Sequence, residues 1–146
     1  MKALIQRVSN ATVFIDAKKH AKISTGMCIF LGVKPTDNPQ IVKKLVSKIL
    51  KLRIFSDRNK NMNRSICDIN GEILVVSQFT LYADTTKGNR PSFQNTASKL
   101  IASPLYDLFI NLLKEEKITV LSGKFGENMN IELNNNGPVT IMLEIL

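Results

Sequence analysis

Apolar and polar positions alternate along Lys2–Val8, with Leu4, Gln6 and Val8 on one side and Ala3, Ile5 and Arg7 on the other. A period of two predicts a strand. Ser9-Asn10 breaks the pattern, and Ala11–Asp16 resumes it as a second strand. The charged Asp16–Lys22 stretch reads as a turn, and Ile23-Ser24-Thr25-Gly26 leads into an apolar strand, Met27–Val33. These segments predict an antiparallel meander. From Asp37 the period changes. Asn38 suits an N-cap and Pro39 the first helical position. Ile41, Val42, Leu45, Val46, Ile49, Leu50 and Leu52 then recur at helical spacing, with Lys43, Lys44, Ser47, Lys48 and Lys51 on the other side.

Arg53–Asp57 predicts a short strand and the Asn-rich Arg58–Arg64 a loop. Asn70-Gly71 is a hairpin-turn signal. In Glu72–Tyr82, Ile73–Val76 reads as a buried central strand, whereas Ser77, Gln78 and Thr80 are polar just where burial should continue. Polar groups ending a buried strand must be hydrogen-bonded or face a ligand. Asp84–Ser103 has few periodic apolar positions and reads as a long ordered loop. Ser103-Pro104 looks like a second helix start, followed by a stripe of Leu105, Leu108, Phe109, Leu112 and Leu113. Ile118–Ser122 is a strand and Gly123–Gly126 a turn. Met129–Leu133 and Val139–Leu146 flank Asn134-Asn135-Asn136-Gly137-Pro138 as a strand–turn–strand unit. The expectation is an α/β fold, one domain over residues 1–146, with a mostly antiparallel sheet curled into a partial barrel and two helices packed outside.

The 146 residues suffice for a real core, and 44% hydrophobic with 22% charged content is ordinary for a globular protein. No apolar run reaches the length of a membrane span. The N-terminus has no apolar stretch of signal-peptide length, so a cytoplasmic location and no membrane partner are expected. Cys28 and Cys67 offer no disulfide framework. The net charge of +8 points to a polyanion, with nucleic acid first. His20 is the single histidine and stands in a turn-like Lys18-Lys19-His20 run. No Ser-His-Asp, Cys-His or metal-ligand spacing is present, so histidine acid–base chemistry, a metal and a cofactor are not expected.

Two stretches read together change the picture. Ser77-Gln78-Phe79-Thr80-Leu81 and Asn136-Gly137-Pro138-Val139-Thr140 resemble the paired motifs of the D-aminoacyl-tRNA deacylases. The resemblance runs along the whole chain, through Gln6-Arg7-Val8, Gly32-Val33, Lys87-Gly88-Asn89-Arg90-Pro91-Ser92-Phe93 and Gly123-Lys124-Phe125-Gly126-Glu127-Asn128-Met129. It implies a homodimer in which the two motifs meet across the interface. It assigns Ser77, Gln78, Phe79 and Thr80 to the catalytic pocket. Gly137-Pro138, joined by a cis bond, becomes a chiral guard reaching the partner's site. Phe125 and Met129 would line the place of the terminal adenosine. Asn136 departs from the Asp that the family often has there, and an Asn serves a turn equally well.

The implied activity is hydrolysis of the ester of D-aminoacyl-tRNA, with glycyl-tRNA within reach, releasing tRNA and the D-amino acid. L-aminoacyl groups would be rejected, which is chiral proofreading. The implied partner is the aminoacylated 3′ end of tRNA, with no DNA expected. The ribose 2′-hydroxyl can assist the attack, leaving the protein to hold the carbonyl and stabilise its oxyanion, with backbone N–H groups near Phe79 and Thr80 as donors. Thr80 as nucleophile is the alternative mechanism, and no neighbouring base in the sequence supports it. A non-catalytic RNA-binding dimer is the alternative function, supported by charge alone. A purely structural, self-associating protein leaves the polar Ser77–Thr80 end unexplained.

Overall fold

The alternation on either side of Ser9-Asn10 belongs to one strand. In the computed structural model, which describes all of residues 1–146, Lys2–Ile15 forms a continuous β1. The expected break is a bulge: Val8 pairs with Asn135 and Asn10 with Asn134, so Ser9 is the extra residue. The charged Asp16–Lys22 stretch corrects likewise. Only Asp16 and Ala17 form the turn, both at positive φ, and Lys18–Ile23 is strand β2, paired back onto β1. Gly26–Gly32 is β3, antiparallel to β1.

Helix α1, Pro39–Leu50, begins where expected, with the Asn38 side chain accepting from the N–H groups of Gln40 and Ile41 at 3.0 and 3.2 Å. Its Val42, Leu45, Val46 and Ile49 are buried. Phe55–Ser56 (β4) and Met62–Arg64 (β5) pair with each other, so part of the expected loop is strand. Asn70-Gly71 makes no hairpin. Glu72–Ser77 (β6) runs parallel to β3 instead. A 3-10 turn, Phe79–Tyr82, follows it.

Helix α2 is longer than its sequence signal. It spans Lys99–Lys114 with Ser98 as cap, and Pro104 lies inside it. Its buried side is Ala102, Leu105, Tyr106, Phe109, Ile110 and Leu113, with Leu108 and Leu112 only partly covered. Thr119–Ser122 (β7) is parallel to β6. The expected C-terminal hairpin is a single strand, β8, Asn130–Glu144. It runs antiparallel to β1 on both sides of Gly137-Pro138.

The sheet order is β2-β1-β3-β6-β7, with β8 on β1. It is mostly antiparallel and curls nearly into a barrel, with parallel ladders at β3–β6 and β6–β7. One core fills the space between sheet and helices, from Ile5, Met27, Ile29, Ile73 and Val75 to Leu45, Ile49, Phe109 and Leu113. A second, inside the curl, holds Val8, Val13, Ile23, Cys28, Leu74 and Val76. Strand β6 thus contributes alternate residues to both cores and is buried on both faces, which is why it reads as a continuous apolar run.

Candidate active site

Three parallel strands end together. Beyond the carboxyl ends of β3 and β6, and beside the loop that follows β7, lies a cleft of about 300 Å³. Its walls include Leu31 and Val33, Ser77, Gln78 and Phe79, Ala102 and Tyr106 of α2, and Phe125 to Met129. Crevices of this kind form outside the carboxyl ends of parallel strands, where neighbouring connections diverge. Of the polar residues that end β6, Ser77 and Gln78 face the cavity, and Thr80 is hydrogen-bonded to Gln78 instead. Phe125 leans on Tyr106 at 5.5 Å between ring centroids. The Tyr106 hydroxyl donates to the Val75 carbonyl at 2.9 Å, and burial pushes its pKa up.

Two glycines allow this packing. A Cβ on Gly123 would stand 2.4 Å from the Met129 sulfur, so a side chain there would drive Met129 from its place. A Cβ on Gly32 would crowd the Gln78 carbonyl and Leu81 at 3.1 Å and Tyr82 at 3.3 Å, so a side chain there would press the 3-10 turn a few tenths of an ångström away from β3.

The chemistry on offer is sparse. Thr80 Oγ1 accepts from Gln78 Nε2 and has no acidic or basic partner. Glu127 is the carboxylate in the cleft wall, and it pairs with Lys124 at 3.2 Å. His20 is exposed on β2 and not among the cleft's residues. The Cys28 thiol is buried in the inner core, which pushes its pKa up to about 12 and keeps it protonated. No group of three His, Cys, Asp or Glu side chains could hold a metal ion.

Gly137 and Pro138 lie elsewhere. Gln6 pairs with Thr140 and Val8 with Asn135, so residues 136–139 stand opposite Arg7 alone and bulge out of the ladder. The Gly137-Pro138 bond is cis and exposed, while Val139 tucks under it, 3% exposed. Arg7 holds the bulge. Its guanidinium donates to the Asn136 carbonyl at 3.2 Å, the Asn136 Oδ1 at 3.3 Å, the Gly137 carbonyl at 3.4 Å and the Ile54 carbonyl at 2.5 Å. Asn135 closes the base by donating to the carbonyls of Arg7 and Val139, each at 3.1 Å. None of Gly137, Pro138 and Thr80 lines the cleft of its own chain.

A model of the family described as D-Tyr-tRNA(Tyr) deacylase matches residues 4–144. The chain belongs to that family. Among curated relatives of the D-Tyr-tRNA(Tyr) deacylase family, the D-aminoacyl-tRNA deacylase of Flavobacterium psychrophilum is 51% identical over 145 residues, 99% of this chain and 97% of the relative. That of Thermosipho africanus is 49% identical over 144 residues, with coverage of 99% and 97%. Among solved structures, a c-Myc DNA unwinding element binding protein superposes with a TM-score of 0.94 at 37% identity, covering 100% of this chain and 99% of that one. A probable eukaryotic D-amino acid tRNA deacylase has a TM-score of 0.86 at 18% identity, covering 99% and 98%, and shares the fold.

Measured against what the deacylase resemblance implied, the structure brings Ser77, Gln78 and Phe79 together with Phe125 and Met129 around one cleft. It keeps Gly137-Pro138 apart from them. The sequence does not mark Arg7 or Tyr106 as site residues. Arg7 looked like one polar position of an alternating strand, yet it is only 9% exposed, and a buried charged side chain is a signal that needs burial to be seen.

Proposed function

We propose that this protein hydrolyses the ester of D-aminoacyl-tRNA and works as a homodimer. Gly137-Pro138 of one chain would complete the cleft of the other. The observation that carries the reading is the cleft at the end of β6, polar at Ser77 and Gln78, flanked by Phe125 and Met129, and without a catalytic dyad. Family membership supplies the reaction class, a hydrolase acting on an ester bond. The separation of Gly137-Pro138 from the cleft supports a second copy. So does the outward face of β1 and β8 beside the bulge. There Leu4 pairs with Met142, which is 49% exposed, and β8 has β1 as its one strand partner.

In this reading, Phe125 and Met129 pack on the terminal adenosine and the aminoacyl ester lies toward Ser77–Thr80. Water attacks the ester carbonyl, aided by the vicinal 2′-hydroxyl. The carbonyl oxygen takes up the negative charge, and collapse expels the ribose 3′-oxygen, which gains a proton. Phe79 and Thr80 lead the 3-10 turn, and leading N–H groups have no acceptor within it. They are the donors we assign to the oxyanion. The partner's Gly137 and Pro138 carbonyls would take the α-amino group, leaving room for a hydrogen at the position an L side chain would occupy. Glycine, having no side chain, passes as well.

Charge favours a second reading, a non-catalytic tRNA-binding dimer, because the net charge is +8. Incubation with D- and L-tyrosyl-tRNA separates the two. Loss of the D ester alone is the expected result. Survival of both esters, with tRNA bound, would leave the binder. A duplex DNA competitor belongs in the same assay, and it should fail to displace tRNA at equal concentration.

A further inference from the structure

Beside the cleft stands a pair of aromatic rings that the site so far described leaves without a task. Phe79 is 55% exposed and Phe93 40% exposed, and their rings meet edge to face with centroids 5.1 Å apart. Two large aromatics left in water at a cavity rim mark a contact surface. Their backbones are tied: the Thr96 N–H donates to the Phe93 carbonyl at 3.0 Å, and the Thr96 hydroxyl reaches the Phe79 carbonyl at 3.5 Å. The pair is therefore a fixed feature of the rim, with Phe79 on the cleft wall and Phe93 beyond it.

The segment leading into Phe93 carries charge of one sign. Asp84 and Ser92 bridge through both backbone bonds, at 2.9 and 2.8 Å, closing residues 85–91 into a loop. That loop holds Lys87 and Arg90, both exposed, and no acidic residue. The Asp84 carboxylate at its base is engaged by the Thr86 N–H and hydroxyl, at 2.9 and 2.7 Å. Aromatic faces beside unpaired cations are how proteins hold single-stranded nucleic acid, the bases stacking and the phosphates meeting the charges.

The volume of the cleft sets which nucleotide arrives there. About 300 Å³ is at the small end for a pocket enclosing an organic ligand, enough for one aminoacyl nucleoside. The preceding nucleotide of an unpaired 3′ end must then leave over the rim.

We propose that Phe79 and Phe93 form the stacking platform for the base next to the esterified terminal nucleoside, with Lys87 and Arg90 on the adjoining phosphates. This rests on the deacylase reading above. It makes Phe93 a binding residue for the tRNA end, outside the reaction centre.

The test compares two substrates, D-tyrosyl-tRNA and 3′-D-tyrosyl-adenosine, which lacks the neighbouring base. Phe93→Leu should raise KM for the tRNA about tenfold, in line with the loss of one base stack, and leave kcat in place. The adenosine ester should be cut as by the wild type, and Phe93→Trp should restore the tRNA KM. An equal loss on both substrates would overturn the platform, as would conversion of a dimer to a monomer in sedimentation, which would make the pair an intersubunit contact. If the wild type cuts neither ester, the deacylase reading has failed. Binding of an oligonucleotide ending in CCA then decides the platform: a tenfold weakening by Phe93→Leu upholds it, and unchanged binding overturns it.

Discussion

The cleft and the Gly137-Pro138 bulge are built on opposite principles. The cleft is the end of a buried strand. Ile73, Leu74, Val75 and Val76 are all 0% exposed, and the walls of the cavity inherit their positions from two hydrophobic cores. The bulge is an excursion from a strand with one neighbour, exposed at Asn136, Gly137 and Pro138, and it is held by polar side chains. Arg7 and Asn135 fix it through carbonyl oxygens. Precision from packing is shared among many neighbours and resists single changes. Precision from one guanidinium is concentrated and disappears with it. If the two form one site, as proposed above, the wall should be where substitutions register in stability and the bulge where they register in selectivity.

The strongest way to break this comparison is to separate the two parts onto different chains. Arg7→Ala should lower kcat/KM for D-tyrosyl-tRNA by about a hundredfold, since it removes several charge-assisted hydrogen bonds that orient the bulge. Ala102→Phe, on the cleft wall, should fill the cavity and stop turnover. Each homodimer is then nearly inert. Refolding the two variants together should restore roughly a quarter of wild-type sites, because mixed dimers pair one intact cleft with one intact bulge. No recovery in a sample whose mixed dimers are verified by mass would mean that the bulge serves its own chain.

A second test asks what the cleft contributes chemically. Thr80 Oγ1 is engaged by Gln78 and has no base beside it, so Thr80→Ala should slow cleavage less than about tenfold. A substrate ending in 2′-deoxyadenosine lacks the vicinal hydroxyl and should be cut about a hundredfold more slowly. Single-turnover rates separate the outcomes. A dead Thr80→Ala enzyme that cuts the deoxy ester normally would make Thr80 the nucleophile.

A pair of milder substitutions sharpens the contrast. Tyr106→Phe removes the buried bond to the Val75 carbonyl, and denaturant unfolding should show a loss of about 1 kcal/mol with the D/L ratio intact. Val75 keeps the Gly123 N–H as donor, which limits the cost. Asn135→Ala frees the base of the bulge, and it should lower the D/L ratio more than it lowers stability. The reverse pattern would refute the division of labour.

The legibility of these features in the sequence follows the same division. Helix α1 was readable because its start is encoded locally, in Asn38 and Pro39. The β6 run and its polar end were readable because burial on both faces leaves no other composition. The sequence signal for helix α2 is shorter than the helix itself. Ser103-Pro104 imitates a cap, while the true first turn carries Leu100, 88% exposed, off the buried stripe. The Asn-rich Gly-Pro stretch has every mark of a hairpin turn, and its real partner is β1, more than a hundred residues away. Long-range pairing also hid the parallel ladders, since β3 and β6 are joined through α1 rather than by a turn. Two motifs mark the cleft residues in the sequence, but the absence of Gly137-Pro138 from the cleft of its own chain is a property of the fold alone.

The smallest effect should come from a third region. Helix α1 turns Lys43, Lys44 and Lys48 outward and Lys51 caps its C-terminus, with no acidic residue in the helix and no ion pair formed by these lysines. The face is open and far from neutral, so it can meet tRNA phosphates without touching the ester. Counterion release makes such interactions fade with salt, and removing one lysine–phosphate pairing should reduce the salt slope by about one. Lys44→Gln with Lys48→Gln, one helical turn apart, should therefore weaken tRNA binding several-fold at low salt and flatten the slope by about two. The D/L ratio and the cleavage of 3′-D-tyrosyl-adenosine should not move, because neither reports on the tRNA body. An unchanged slope would take this face out of the docking surface and leave the cations nearer the cleft, Lys87 and Arg90 first, to carry the charge. A change in the D/L ratio would be the more serious result, since it would mean that the guard responds to binding outside the cleft and the Arg7 cradle.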